Sequence, residues 1–202
     1  MSYLDFVDHV SLFSALHAID LELADRARAA GCPQCGGPLH SGAYVRKPRG
    51  ISIDIPDNYM IRHSLCCGRC RRRALPASVL FFGRKVFWGC VVVLCTGVTQ
   101  GLQRSTIEAL CDRFQVSRRT IKRWVCFFAV VFPRSADWVR VRGLVSPEVD
   151  NAELPCSALA WLFKHKGATM ESFVACLKLL LCPEGMACRG MVADAQKMPS
   201  CP

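Results

Sequence analysis

Two pairs of cysteines carry the most specific chemistry in this chain. Cys32-Pro33-Gln34-Cys35-Gly36-Gly37 and Cys67-Gly68-Arg69-Cys70 each separate two thiols by two residues. At that spacing a tight turn aims both sulfurs at one tetrahedral ion, and two such turns complete the coordination of zinc. Glycines after the second cysteine let backbone N–H groups face the sulfurs, and basic neighbours favour thiolate over thiol. Four protein ligands leave no open position for a substrate, so such an ion folds the segment rather than catalysing. The expected ligands are Cys32, Cys35, Cys67 and Cys70. Cys66 stands beside Cys67 and competes for its place at a wider spacing from Cys70, and His40 and His63 are weaker alternatives.

The second chemical signal is a concentration of cations. Arg118, Arg119, Lys122 and Arg123 are interleaved with Ile121, Trp124, Val125 and Phe128, and no acid occurs between residues 115 and 132. The apolar set follows the i, i+3, i+4, i+7 spacing of one helix face, which leaves the cations on the other. Like charges crowded on one helix repel, and a groove lined with phosphates relieves that repulsion. Upstream, Ile107, Leu110, Cys111 and Phe114 repeat the same spacing behind a capping box at Ser105-Thr106-Ile107-Glu108. A break at Gln115-Val116 and a cap at Ser117 join the two in the order of a helix-turn-helix, with the second as recognition helix. Gln115 stands where that turn often has glycine. Arg118 and Arg119 are expected near base edges, and Lys122 or Arg123 toward phosphate.

The elements that must position these groups follow from the segments between them. Residues 3–30 form a helical pattern through Phe6, Val10, Phe13, Leu16 and Leu23, as one helix or as two breaking near Ala18, with Gly31 as its stop. His9 and His17 read as ordinary surface or core histidines. Between the cysteine pairs there is room for short strands near residues 43–47, 51–55 and 59–65, with turns at Gly50 and Pro56-Asp57-Asn58. This segment is basic, with eight Lys or Arg against two acids between residues 40 and 73. Arg46, Lys47, Arg49 and Arg62 belong to the strands and turns, and Arg69, Arg71, Arg72 and Arg73 surround the second pair. Arg46, Lys47, Arg49, Arg71, Arg72 and Arg73 are the expected grip on the DNA backbone. After Pro76 an apolar stripe of Val86, Cys90, Val93 and Leu94 marks a helix over about residues 84–99, ended by Gly101.

The whole chain has 202 residues and a formal net charge of +10. The charge is localised: residues 32–142 hold 19 basic and five acidic side chains, while the flanks are nearly neutral. A block of that kind faces a polyanion. The longest apolar run, residues 86–98, contains Gly89, Thr96 and Gly97 and is shorter than the roughly 20 residues a membrane span requires. Residues 1–8 carry no basic side chain and do not read as a secretory signal. Several of the 14 cysteines (Cys90, Cys95, Cys111, Cys126, Cys176) lie in apolar helical stretches, where a free thiol packs as a small hydrophobe. That usage implies a reducing, cytoplasmic setting, and binding to DNA would make the protein nucleoid-associated.

In the final third, residues 140–151 read as an irregular connection. A helix opens at Leu154-Pro155, and Gly167-Ala168-Thr169 separates it from another bearing Met170, Phe173, Val174, Leu177, Leu180 and Leu181. Its broad apolar face suits packing on the helical core or a homodimer contact. Residues 183–202 read as a loose tail; Cys182, Cys188 and Cys201 have poor spacing for a second metal site.

The succession CPQCGG, CGRCRRR, an apolar helix and STIEALCDRFQVSRRTIKRW resembles the amino-terminal region of zinc-ribbon transposases from bacterial insertion sequences. It is also similar to small DNA-binding proteins associated with mobile elements. The resemblance covers residues 32–131. It implies binding of element ends or an operator through the four cysteines and the helix that starts at Ser117. The catalytic half of such a transposase, an acidic triad on a ribonuclease-H-like fold, has no counterpart in the remaining residues.

The expected fold is mainly α with a small β zinc ribbon and a helix-turn-helix tri-helical core. Its parts are an amino-terminal helix (1–31), the ribbon (32–75), the helix-turn-helix (84–132), a helical pair (153–182) and a tail (183–202). The expected function is zinc-dependent binding of double-stranded DNA without catalysis, in transposition or in regulating a mobile element. The alternatives are an interaction subunit of a transposase, recombinase or polymerase complex, and a reduced transposase or nuclease using Asp137 or Glu148.

Overall fold

The computed structural model describes residues 7–51, 54–82, 87–99 and 104–182. Helix α1 (Val10–Ala30) is followed by five short strands, β1 (Leu39–Ser41), β2 (Tyr44–Val45), β3 (Ile61–Arg62), β4 (Leu65–Cys67) and β5 (Arg73–Ala74). Helices α2 (Gly89–Thr99), α3 (Arg104–Phe114), α4 (Arg118–Cys126), α5 (Ala136–Arg142), α6 (Cys156–Lys166) and α7 (Met170–Leu181) follow. The protein is mainly helical with a small antiparallel β element. Among the described residues no helix is long and apolar enough to cross a membrane.

Helix α1 runs unbroken through Ala18. It buries Leu12, Phe13, Leu16, Asp20 and Ala24 along one side, while Val10 is exposed. The N–H of Gly31 then bonds back to Arg28 at 3.2 Å and closes the helix. Of the expected helical pattern, Tyr3 and Phe6 lie outside the described residues.

The strands are shorter and more numerous than the sequence pattern suggests, and some lie elsewhere. β4 is central to a three-stranded antiparallel sheet, paired Leu39↔Cys67 and His40↔Cys66 with β1, and Leu65↔Ala74 and Cys66↔Arg73 with β5. β2 and β3 form a separate ribbon with Tyr44 opposite Arg62. The expected strand at 59–65 divides into a 3₁₀ turn (Asp57–Met60), β3 and the start of β4. The expected strand at 51–55 is corrected: Ile51, Asp54 and Ile55 are not in a strand, while Ile51 and Ile55 pack on the helical core.

That core is organised around α2. Cys90, Val91, Val92, Val93, Leu94 and Cys95 are all fully buried, so the described side chains of α2 leave no solvent face and its apolar residues form a cylinder rather than a stripe. α3, α4, α6 and α7 pack on it. Val86 and Gly101 lie outside the described residues. α7 also packs against α1 and α6, which accounts for the breadth of its apolar face within the chain. The side-chain oxygen of Thr169 caps α7 by accepting from the N–H of Ser172 at 3.3 Å.

α3 begins at Arg104, which places Ser105 inside the first turn rather than at the N-cap. Gln115 turns the chain between α3 and α4 with a positive φ of 49°. This is the conformation glycine adopts most cheaply. Its side-chain amide donates to the carbonyl of Asp112 at 2.7 Å. After α4 the chain continues as a π turn (Phe127–Val131) and a 3₁₀ turn (Phe132–Arg134). Phe82, Phe127, Phe128, Phe132 and Trp138 stack there edge to face or tilted, with centroids 5.1–6.0 Å apart. Helix α5 occupies part of the stretch from residue 140 expected to be irregular. Cys126, expected as a free apolar thiol, is disulfide-bonded.

A second, smaller apolar cluster (Cys32, Leu39, Leu65, Cys67, Ala74) lies under the three-stranded sheet. Between the two clusters Asp20 of α1, only 1% exposed, accepts hydrogen bonds from the Ser78 hydroxyl and from the N–H of Val79 at 2.7 Å. Ser78 in turn accepts from the N–H of Phe81 at 3.1 Å. Asp20 thus fixes the connection between sheet and α2 against α1.

Candidate metal centre and basic helix

Cys32, Cys35, Cys67 and Cys70 come together with all four sulfurs within 4.8 Å of one another. Cys32 and Cys70 are 3.6 Å apart, and Cys35 and Cys67 3.5 Å. A tetrahedral ion with metal–sulfur bonds of about 2.3 Å requires ligand sulfurs about 3.8 Å apart, so the donor set fits such an ion. Among the described residues this is the one group of three or more His, Cys, Asp or Glu near enough to share a metal.

The two cysteine turns are built alike. In the first, the N–H of Cys32 bonds to Gly37 at 2.9 Å and the N–H of Gly36 returns to Cys32 at 2.8 Å. In the second, the N–H of Cys67 bonds to Arg72 at 2.9 Å and the N–H of Arg71 returns to Cys67 at 3.1 Å. Each places its fifth residue at positive φ, Gly36 at 66° and Arg71 at 61°. Glycine does this without a Cβ penalty, whereas Arg71 is held there against its preference. Gly37 is needed for space: a Cβ there would lie 3.2 Å from the Cys67 sulfur, 3.3 Å from that of Cys35 and 3.0 Å from Arg69 Cβ.

Backbone dipoles point at the sulfurs. The N–H groups of Arg69 and Cys70 lie 3.3 and 3.4 Å from the Cys67 sulfur. Donation from Cys70 and then Arg69 pulls the Cys67 thiol down to about 6. The N–H of Gln34 likewise lowers Cys32. Cys70 goes the other way: the N–H of Arg72 favours its thiolate, but burial and three adjacent sulfurs prevail and push it up to about 12. Ionising all four sulfurs at this separation becomes favourable when a cation sits among them.

Cys66 is outside the cluster, with its sulfur 3.6 Å from the carbonyl of Arg71. The alternation along β4 turns it to the opposite face from Cys67, where it stands beside His40 and Arg73. His63 stacks on His17 of α1 with ring centroids 5.6 Å apart, also away from the sulfurs. Burial lowers the pKa of both imidazoles.

The basic helix α4 is positioned by Ser117, whose side chain accepts from the N–H of Thr120 at 3.2 Å. Ile121, Trp124 and Phe128 are buried and Val125 half-buried; Arg119, Lys122 and Arg123 are exposed. Arg118 is half-buried and pairs with Glu108 of α3 at 3.1 Å, and Arg123 lies 3.4 Å from the Thr120 hydroxyl.

The remaining candidate cations have diverse settings. Arg62 is corrected from a surface contact to a buried group, bonded to the carbonyls of Pro76 and of His63 (3.0 Å). Arg46 lies over the ring of Phe81 at 5.5 Å. Arg69 reaches the Cys35 carbonyl at 3.4 Å, and Arg72 the side chain of Gln34 at 2.9 Å, bridging the two cysteine turns. Arg73 lies over Tyr44 at 5.8 Å. Lys47, Arg49 and Arg71 are exposed. Asp137 and Glu148, the acids of the nuclease alternative, pair with Arg140 at 3.9 Å and with Lys164 at 3.2 Å. Sequence reasoning missed the Glu108–Arg118 pair, although an acid one helix away from four cations was the available signal.

No protein-family model matches the chain, and the searches of curated proteins and of solved structures returned no match.

Proposed function

We propose that this is a non-catalytic, zinc-dependent protein that binds double-stranded DNA, in transposition or in the regulation of a mobile element. The observation that carries the reading is α4: its apolar residues are spent on the core, and Arg119, Lys122 and Arg123 project from the remaining surface. Helices α3 and α4 then act as a helix-turn-helix, with α4 entering the major groove. Arg119 and Lys122 are the leading contacts, and Arg118 joins them by exchanging Glu108 for DNA.

Zinc suits the sulfur cluster because a tetrahedral all-thiolate set is its common structural coordination. Cys32, Cys35, Cys67 and Cys70 would hold it, and the ion would supply closure of the β element as a zinc ribbon. Lys47, Arg49 and Arg71 would meet the phosphate backbone beside the groove.

The test is binding of a fluorescent duplex as a function of salt and zinc. Neutralising about six phosphates gives a slope of log affinity against log salt near −5. Joint Arg119→Ala and Lys122→Ala substitution should flatten that slope by about two, and a metal chelator should remove binding. A salt-independent affinity, or a double variant that binds like the parent, overturns the assignment.

A further inference from the structure

Tyr44 has a position that core packing does not explain. It is 38% exposed, belongs to neither apolar cluster, and is followed by Val45 at 63% exposed. Tyr59, by contrast, packs on the helical core. The strand that carries Tyr44 is only two residues long and is paired with β3 in a two-stranded sheet, and both its residues are exposed. Arg73, itself exposed, reaches from β5 of the other sheet to lie 5.8 Å from the Tyr44 ring centre. The neighbouring sequence adds the exposed cations Arg71 and, beyond the strand, Lys47.

An exposed aromatic ring backed by a guanidinium, in a stretch rich in exposed cations, is a combination suited to unpaired bases. The planar groups stack on the base, every base offers a π face, and the cations take the adjoining phosphates. A fully paired duplex keeps its bases inside the helix and gives such a ring nothing to stack on. We infer that Tyr44 and Arg73 form a stacking platform for an unpaired DNA base, so that the protein prefers duplexes interrupted by an unpaired nucleotide over continuous ones. This inference rests on the DNA-binding reading above and adds to it a second contact with a different ligand chemistry.

The experiment uses the full-length, zinc-loaded protein and two otherwise identical duplexes, one continuous and one carrying a single unpaired 2-aminopurine. The interrupted duplex should bind about tenfold more tightly, with quenching of the 2-aminopurine on binding. Tyr44→Ala should abolish both the preference and the quenching while leaving affinity for the continuous duplex and the zinc content unchanged. Tyr44→Phe, which keeps the ring, should retain both effects. Equal binding of the two duplexes by the parent, or a preference that survives Tyr44→Ala, overturns the platform while leaving the helix assignment standing. Failure to bind either duplex overturns both.

Discussion

Replacing Asp20 by alanine probes the junction between the β element and the helices. Asp20 accepts from the Ser78 hydroxyl and the Val79 N–H, with the N–H of Leu80 also directed at it, and the charge of buried Arg62 favours its ionised form. Alanine leaves these buried donors without an acceptor, at about 1–3 kcal/mol each. It also removes a negative charge that offsets buried Arg62. These losses share one site and do not add, so a deficit of about 3 kcal/mol at pH 7 is expected. The pH dependence supplies a second reading. Burial raises the Asp20 carboxyl from its ordinary 3.8 to about 6, so the folded state holds that proton to higher pH than the unfolded chain. The resulting stabilisation is full below about pH 4 and is lost as pH rises through 6, an amplitude of about 3 kcal/mol. The Asp20→Ala deficit should therefore widen on acidification. His17 and His63, lowered by burial, act in the opposite sense, and loss of the metal in acid also destabilises; both are common to the two proteins and cancel in the difference. Urea unfolding of parent and variant at several pH values measures it. A deficit under about 1 kcal/mol at pH 7, or one that narrows toward pH 5, refutes the assignment of Asp20 as the junction's buried acceptor.

Gly37→Ala should weaken metal affinity by about 10- to 100-fold, read by competition with a chromophoric chelator, because the added methyl wedges between two ligand sulfurs. At the matching positive-φ positions opposite effects are expected: Gly36→Ala should cost about 1–2 kcal/mol and Arg71→Gly should gain up to about 1 kcal/mol in thermal unfolding of the metal-loaded protein. Glu108→Gln should strengthen duplex binding at low salt and steepen its salt dependence, since Arg118 would no longer have to leave a carboxylate; an unchanged affinity curve would place Arg118 outside the contact.

The cysteine turns and the Ser117 cap were legible because their physics is local, whereas the Ser105 cap was misplaced by a helix that begins earlier. Two thiols three positions apart, or a serine just ahead of a helix such as Ser117, need no knowledge of the rest of the chain. The apolar faces of α3 and α4 were legible for the same reason, through Leu110, Phe114, Ile121 and Trp124. Strands of two or three residues are too short to establish a period, so β1 and β5 left no usable trace, and Ile51 and Ile55 imitated a strand while serving the helical core. Nor could the sequence separate Arg62 from the surrounding arginines. Its burial depends on a pocket formed by segments distant in sequence, including the carbonyl of Pro76. Nor did the sequence mark Asp20, because its partner, Ser78, is 58 residues away.

The sealed environment of α2 has a mechanical consequence. A rod gripped on all sides transmits load without bending, and Val91 of this rod also sits 3.1 Å from where a Cβ on Gly50, in the stretch between the cysteine turns, would lie. A pull on the sulfur-bearing end therefore reaches α4 through close-packed matter instead of a slack tether. On the DNA-binding reading proposed above, two contacts held this way would keep a set spacing, like the jaws of a caliper, and would select targets by length as well as by chemistry.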